Sequence, residues 1–168
     1  LTDFIRQVYQ AILKRLPGNG ELTSWLNTLR HAPTLNGFID GVLGSAEYRN
    51  TLIASWYTKY LGRSSDSAGL QFWQNFLAAG NTVQTAQTFF VASEEAFQKA
   101  GSDAKQWVTY MYQVLLNRTP SDSDRDGWAN RLTSGELQRS DISFGFFFSV
   151  EYTQNQIRQF YTDVQPGG

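Results

Sequence analysis

Four landmarks recur in register three times along the chain, and that register constrains the fold more than any other feature. Arg15, Arg63 and Arg118 each follow a tyrosine by six residues: Tyr9, Tyr57 and Tyr112. Each arginine precedes a tryptophan by ten residues (Trp25, Trp73, Trp128) and then, four further on, a leucine (Leu29, Leu77, Leu132). Each block closes on serine and glutamate beside an aromatic, with Glu47, Glu95 and Glu151 lying 22, 22 and 23 residues after the tryptophan. Self-similarity of this kind marks tandem supersecondary units that bury their apolar faces against one another. The units cover about 3–50, 51–100 and 102–160 of the 168 residues.

Each unit has the periodicity of helices. Tyr9, Ile12 and Leu13 lie three and four apart, as do Tyr57, Tyr60 and Leu61, and Tyr112, Leu115 and Leu116, which lines one helical face. This first helix is expected to stop just past each arginine, where Pro17-Gly18, Ser64-Ser65 and Thr119-Pro120 intervene. A second helix carries Trp and Leu at i and i+4, and Gly80 and Gly135 fit left-handed C-caps behind two of these helices. A third carries Phe38/Val42, Ala86/Phe90 and Ile142/Phe146 ahead of the closing serine, itself an N-cap candidate. No segment shows strand alternation. The expectation is an all-α fold of about nine helices, three per unit, packed into one globule over 1–164, with 165–168 starting a linker.

Composition narrows the chemistry. With no cysteine and one histidine, thiol catalysis, zinc ribbons, iron–sulfur clusters and His-based triads lack raw material. Fourteen basic residues against 15 acidic ones argue against nucleic acid, whose phosphates call for a basic excess. No apolar run is long enough to cross a membrane. The missing first Met and the Pro-Gly-Gly ending lead us to expect a piece of a longer polypeptide, whose other domains are then partners. No constellation selects an active site, so a non-enzymatic protein is expected.

The segment Tyr57-(x)5-Arg63-(x)2-Asp66-(x)2-Gly69-(x)3-Trp73, which contains Leu61-Gly62-Arg63 and is followed by the Ser93-Glu94-Glu95 ending, resembles the bacterial DUF4214 repeat. The first unit has Leu13-Lys14-Arg15 and the third Leu116-Asn117-Arg118 at the Leu-Gly-Arg position. The same landmarks are more distantly similar to the linker domain of phycobilisomes. The first resemblance implies a module of undefined function in secreted or cell-envelope bacterial proteins. The second implies a helical scaffold that organises an assembly.

Several residues invite a functional reading beside a structural one. Trp25, Trp73 and Trp128 are expected as core anchors. Arg15–Glu47, Arg63–Glu95 and Arg118–Glu151 are expected to pair and pin the start of each unit to its end. The other reading of these arginines is anion binding. Asp122-Ser123-Asp124-Arg125-Asp126-Gly127 matches the opening of a calcium loop, with Asp122, Asp124 and Asp126 as ligands. The competing reading is an acidic first helical turn. His31, before Ala32-Pro33, reads as a surface or capping residue. Trp56 and Trp107 fall outside the repeated positions and, with Phe146, Phe147 and Phe148 of the Phe144–Phe148 run, are the candidates for contacting a protein or glycan partner. The alternative for all five is burial. Rings of Trp56, Trp107, Tyr110 and Tyr161 aligned in a solvent-facing groove would favour a carbohydrate-binding accessory domain, and a flat apolar patch would favour a protein.

Overall fold

Ile5, Tyr9 and Leu13 repeat at every fourth position, and helix α1 (Thr2–Leu13) buries all three. Leu29 of α2 (Asn19–His31) and Phe38 and Val42 of α3 (Leu35–Leu43) complete that core. Phe38 lies at its centre, with ring centroids 5.9 Å from Phe4, 6.4 Å from Tyr9 and 4.7 Å from Trp25. The computed structural model describes residues 1–31 and 34–164. The expected linker start, 165–168, and Ala32-Pro33 lie outside the described residues.

The chain divides into two compact units, and the division runs through the second sequence repeat. The first unit, Leu1–Ser55 with Ser65–Asn75, holds α1–α3, α4 (Ala46–Trp56) up to Ser55, and most of α5 (Ser67–Ala78). The second, Trp56–Ser64 with Phe76–Gly168, opens on a π-helical turn, Tyr57–Leu61. It continues with α6 (Val83–Val91), α7 (Glu94–Lys99), α8 (Ala104–Leu116), α9 (Asp122–Thr133), α10 (Arg139–Phe147) and α11 (Val150–Val164). Helix α8 is the axis of this unit and packs against α9, α10 and α11, while α10 also packs against α6.

The fold is all-α, with no strand among the described residues, but the helix count departs from expectation. Among the described residues there are eleven α-helices and a π-helical turn rather than about nine helices. The excess comes from the closing serine, which starts a helix of its own in every repeat. Ser45 Oγ accepts from Tyr48 N–H (3.1 Å), Ser93 Oγ from Ala96 N–H (3.2 Å) and Ser149 Oγ from Tyr152 N–H (3.1 Å). After α4 that helix runs straight into the Tyr57 segment. After α7 the positive-φ residues Gly101 and Ser102 break it before α8, and α11 ends the described chain as an extra helix.

The first helix of each repeat also ends earlier than expected, two residues before the arginine. Lys14 (φ 60°), Gly62 (φ 66°) and Asn117 (φ 55°) each take the left-handed conformation that closes such a helix. Glycine adopts it freely and asparagine tolerates it, whereas for lysine it costs about 1–2 kcal/mol. Lys14→Gly is therefore expected to stabilise the protein by about 0.5–1 kcal/mol once glycine's extra unfolded-state entropy is subtracted. The midpoint of urea denaturation followed by circular dichroism reads this out.

Candidate functional site

The left-handed residue turns the chain so that the next side chain, the repeated arginine, lies back over the tyrosine one helical turn and a half before it. Arg15 sits 5.2 Å from the Tyr9 ring centroid, Arg63 4.6 Å from Tyr57 and Arg118 4.7 Å from Tyr112. All three arginines engage the glutamate near the start of a helix 32 or 33 residues later, through two N–H···O bonds each. Nε of Arg15, Arg63 and Arg118 stands 2.5 Å from Oε1 of Glu47, Glu95 and Glu151. The second bond, from Nη2 to Oε2, measures 2.6, 2.8 and 3.0 Å in the same order. This forked pairing matches a planar guanidinium to a carboxylate.

In the first repeat the clasp gains a third member. Glu21 accepts from Arg15 Nη1 and Nη2 (both 2.8 Å) and from the Gly18 backbone N–H (2.7 Å). With Nη1 also donating to the Leu16 carbonyl at 3.0 Å, five bonds use the five N–H donors of Arg15. A guanidinium so engaged has nothing left with which to hold an added anion. The Arg15 bonds, then the Gly18 N–H, hold the Glu21 carboxyl down at about 2. The same kind of bond, from Arg15 and Arg118, holds Glu47 and Glu151 below the ordinary carboxylate range.

The tryptophans at the repeated position are largely covered. Trp73 is buried, while Trp25 and Trp128 are half-buried. Trp25 donates its indole N–H to Tyr9 Oη at 2.8 Å, and Trp128 interacts with the Tyr112 hydroxyl. In the first and third repeats the tyrosine and tryptophan thus form a wall beside the clasp.

Four of the candidate partner-contacting aromatics are corrected by burial. Trp56 and Trp107 are 2% and 0% exposed, because they face inward beside the rest of the second core. Trp56 stands edge-on to Phe90, and the Trp107 indole N–H donates to the Val91 carbonyl at 3.2 Å. Phe146 and Phe147 are buried too, Phe146 edge-on to Tyr112 and Phe147 against Tyr152. Phe148 is half exposed and lies parallel to Phe144, ring centroids 4.2 Å apart. Helical geometry divides the run, since 144 and 148 share a face and 146 and 147 face the core. Tyr110 is partly buried and donates to the Tyr60 carbonyl at 2.6 Å, which leaves Tyr161 as the one mostly exposed ring of the proposed glycan set.

The acidic motif is helical and not a loop. Ser121 caps α9 by accepting from Asp124 N–H at 3.1 Å, and Asp122, Asp124 and Asp126 follow within its first turns. Arg125 pairs with Asp122 and Asp126, and Lys105 pairs with Asp126 at 3.1 Å. Two of the three supposed ligands are thus engaged by cations, and no group of three acidic or histidine side chains is placed to hold a metal ion among the described residues. His31 ends α2, where its Nδ1 lies 2.7 Å from the Asn27 carbonyl oxygen.

Two features were not anticipated from the residue pattern. One is Glu21 as the third member of the first clasp, which needs the turn at Gly18 to bring it to Arg15. The other is glycine four residues before the closing serine, at Gly41 and Gly145. A Cβ at Gly41 would lie 2.9 Å from Cη2 of Trp25, so the Trp25 ring rests on a bare backbone there. Gly145 has no atom within 4 Å of the corresponding position and floors a slot of ≈ 160 Å³ beside Tyr112, Trp128 and Phe146.

Fold and site together define an all-α protein whose helices are tied by Tyr–Arg–Glu clasps. Residues 86–156, which run from α6 into α11 and include the Arg118–Glu151 clasp, match the family described as Domain of unknown function (DUF4214). No curated protein and no solved structure matches the chain.

Proposed function

We propose that the chain is a non-catalytic interaction module, built as three tandem helical repeats, in a larger secreted or envelope-associated bacterial protein, and that it docks a protein partner. Three clasps with the same forked geometry, at separations of 32, 32 and 33 residues, support the repeat architecture. Repeated charged residues that are consumed by the fold argue for a structural role, since a site copied into every unit of an array ordinarily serves the array. The observation that carries the docking role is the stacked Phe144–Phe148 pair, each ring about half exposed while its neighbours Phe146 and Phe147 are buried. Exposed aromatic surface of this kind favours association. Protein is preferred to glycan because Trp56 and Trp107, the rings that a sugar-stacking groove would have used, lie in the core.

Affinity capture from an envelope fraction, run with the wild-type chain beside Phe144→Gln/Phe148→Gln, tests the reading. The expected result is a protein recovered by the wild type and reduced tenfold or more with the variant. Recovery of a glycan alone, or equal recovery with both chains, would overturn it. The two substitutions lie at solvent-facing positions, so the melting temperature should move little.

A further inference from the structure

We infer that the slot beside Gly145 is a binding site for one neutral hydrocarbon ring, a site independent of the docking surface proposed above. Its walls are Tyr112, Leu116, Trp128 and Phe146, with Gly145 as floor and Ser149 and Glu151 at the rim. The slot is open to solvent and has a volume of ≈ 160 Å³, about that of a single six-membered aromatic ring; enclosed apolar cavities of about 150 Å³ take up benzene.

The first repeat supplies an internal comparison. There the repeated tryptophan closes the space: Trp25 lies over Gly41, edge-on at 4.7 Å to Phe38, which stands where the third repeat has Ile142, while Val42 takes the place of Phe146. In the second repeat the glycine position is Phe89. In the third, Trp128 stands 6.0 Å from Phe146 and leaves Gly145 uncovered. The third repeat therefore keeps open a space that the first fills with its own indole.

The polar groups around the slot select the ligand class. Ser149 Oγ donates to the Phe146 carbonyl at 2.8 Å and accepts from Tyr152 N–H. Both oxygens of Glu151 are taken by Arg118, whose guanidinium also lies over the Tyr112 ring. No rim group is spare to recognise a polar substituent. Arg118 already lies over the Tyr112 ring and Arg131 over the Trp128 ring at 5.4 Å, so a cation would meet like charge at two of the three aromatic walls and a quaternary ammonium is disfavoured. What remains is dispersion and desolvation, which favour an uncharged ring.

The test uses the whole chain with toluene as probe, tetramethylammonium as the charged comparator, and two variants. Gly145→Leu fills the slot from a helical position where added atoms have room, and Gly145→Ala removes the glycine while leaving most of the space. Toluene at ten times its Kd should raise the melting temperature of the wild type by about 3–5 °C. It should also shift the Trp128 indole resonance. The Ala variant should retain both effects in weakened form, and the Leu variant should lose both. No response to toluene, an equal response in Gly145→Leu, or a response to tetramethylammonium greater than to toluene would overturn the assignment.

Discussion

Replacing Trp107 with alanine is expected to destabilise the protein by about 3–5 kcal/mol, the usual cost of deleting a large buried aromatic. Trp107 is fully buried in α8, where Ala104 and Met111, three and four positions away, and the adjacent Val108 are buried as well. Truncation would empty the space of an indole and leave the Val91 carbonyl without its N–H donor. Trp107→Phe should recover most of the packing and lose the hydrogen bond, and so fall between wild type and alanine. Thermal denaturation followed by circular dichroism separates the two roles this residue could have. A core residue lowers the melting temperature by about 10 °C or more on truncation. A surface residue used for docking would leave it unchanged and weaken partner capture instead.

Acidification is the second large effect. Arg15 and Arg118 hold Glu21, Glu47 and Glu151 below the ordinary carboxylate value of 4.5, Glu21 at about 2. In the unfolded chain these groups take up protons near their ordinary value, while in the fold they resist until lower pH. The first and third clasps therefore contribute their stability above about pH 4.5 and lose it as pH falls toward 2. Because the side chains are more than a third exposed, solvent screens each pair to about 1 kcal/mol or less. Three clasps acting independently should then be worth at most about 3 kcal/mol. Melting temperatures measured from pH 7 to pH 2.5 should fall most steeply below pH 4.5. The variant Glu47→Gln/Glu95→Gln/Glu151→Gln should start lower at neutral pH and show a flatter profile. In 1 M salt the wild-type profile should flatten as well, since exposed pairs are screened. Equal acid slopes in wild type and variant would assign the loss to other carboxylates.

The helical class, the repeat register and the Arg–Glu partners were legible in the residues, because spacing alone carries them. A bidentate pair recurring at 32 or 33 residues leaves a periodic trace, and Ser-x-Glu marks a capped helix start. Other features were legible but misread. Trp107, Met111 and Leu115 fall at every fourth position, which already places Trp107 on the buried face of α8. The same rule splits Phe144 and Phe148 from Phe146 and Phe147. The remaining features depend on tertiary proximity or backbone conformation. Lys14 carries no compositional sign of a left-handed residue, since it stands where Gly62 and Asn117 occupy the same turn. Glu21 meets Arg15 only because the chain reverses at Gly18, and the difference between Trp25 and Trp128 lies in how each ring settles over its glycine.

The near-constant span of the clasps also governs how the chain finds its fold. A contact across 32 or 33 residues closes a short loop, and closure entropy rises only logarithmically with loop length. The longest side-chain hydrogen bond described, from Tyr110 to the Tyr60 carbonyl, spans 50 residues. Early structure can therefore form from successive local encounters, without a search between distant ends, which is the condition under which helical proteins reach the native state within milliseconds. A nascent chain emerging at synthesis speed could close its first clasp, Arg15 on Glu47, before the later repeats have been made.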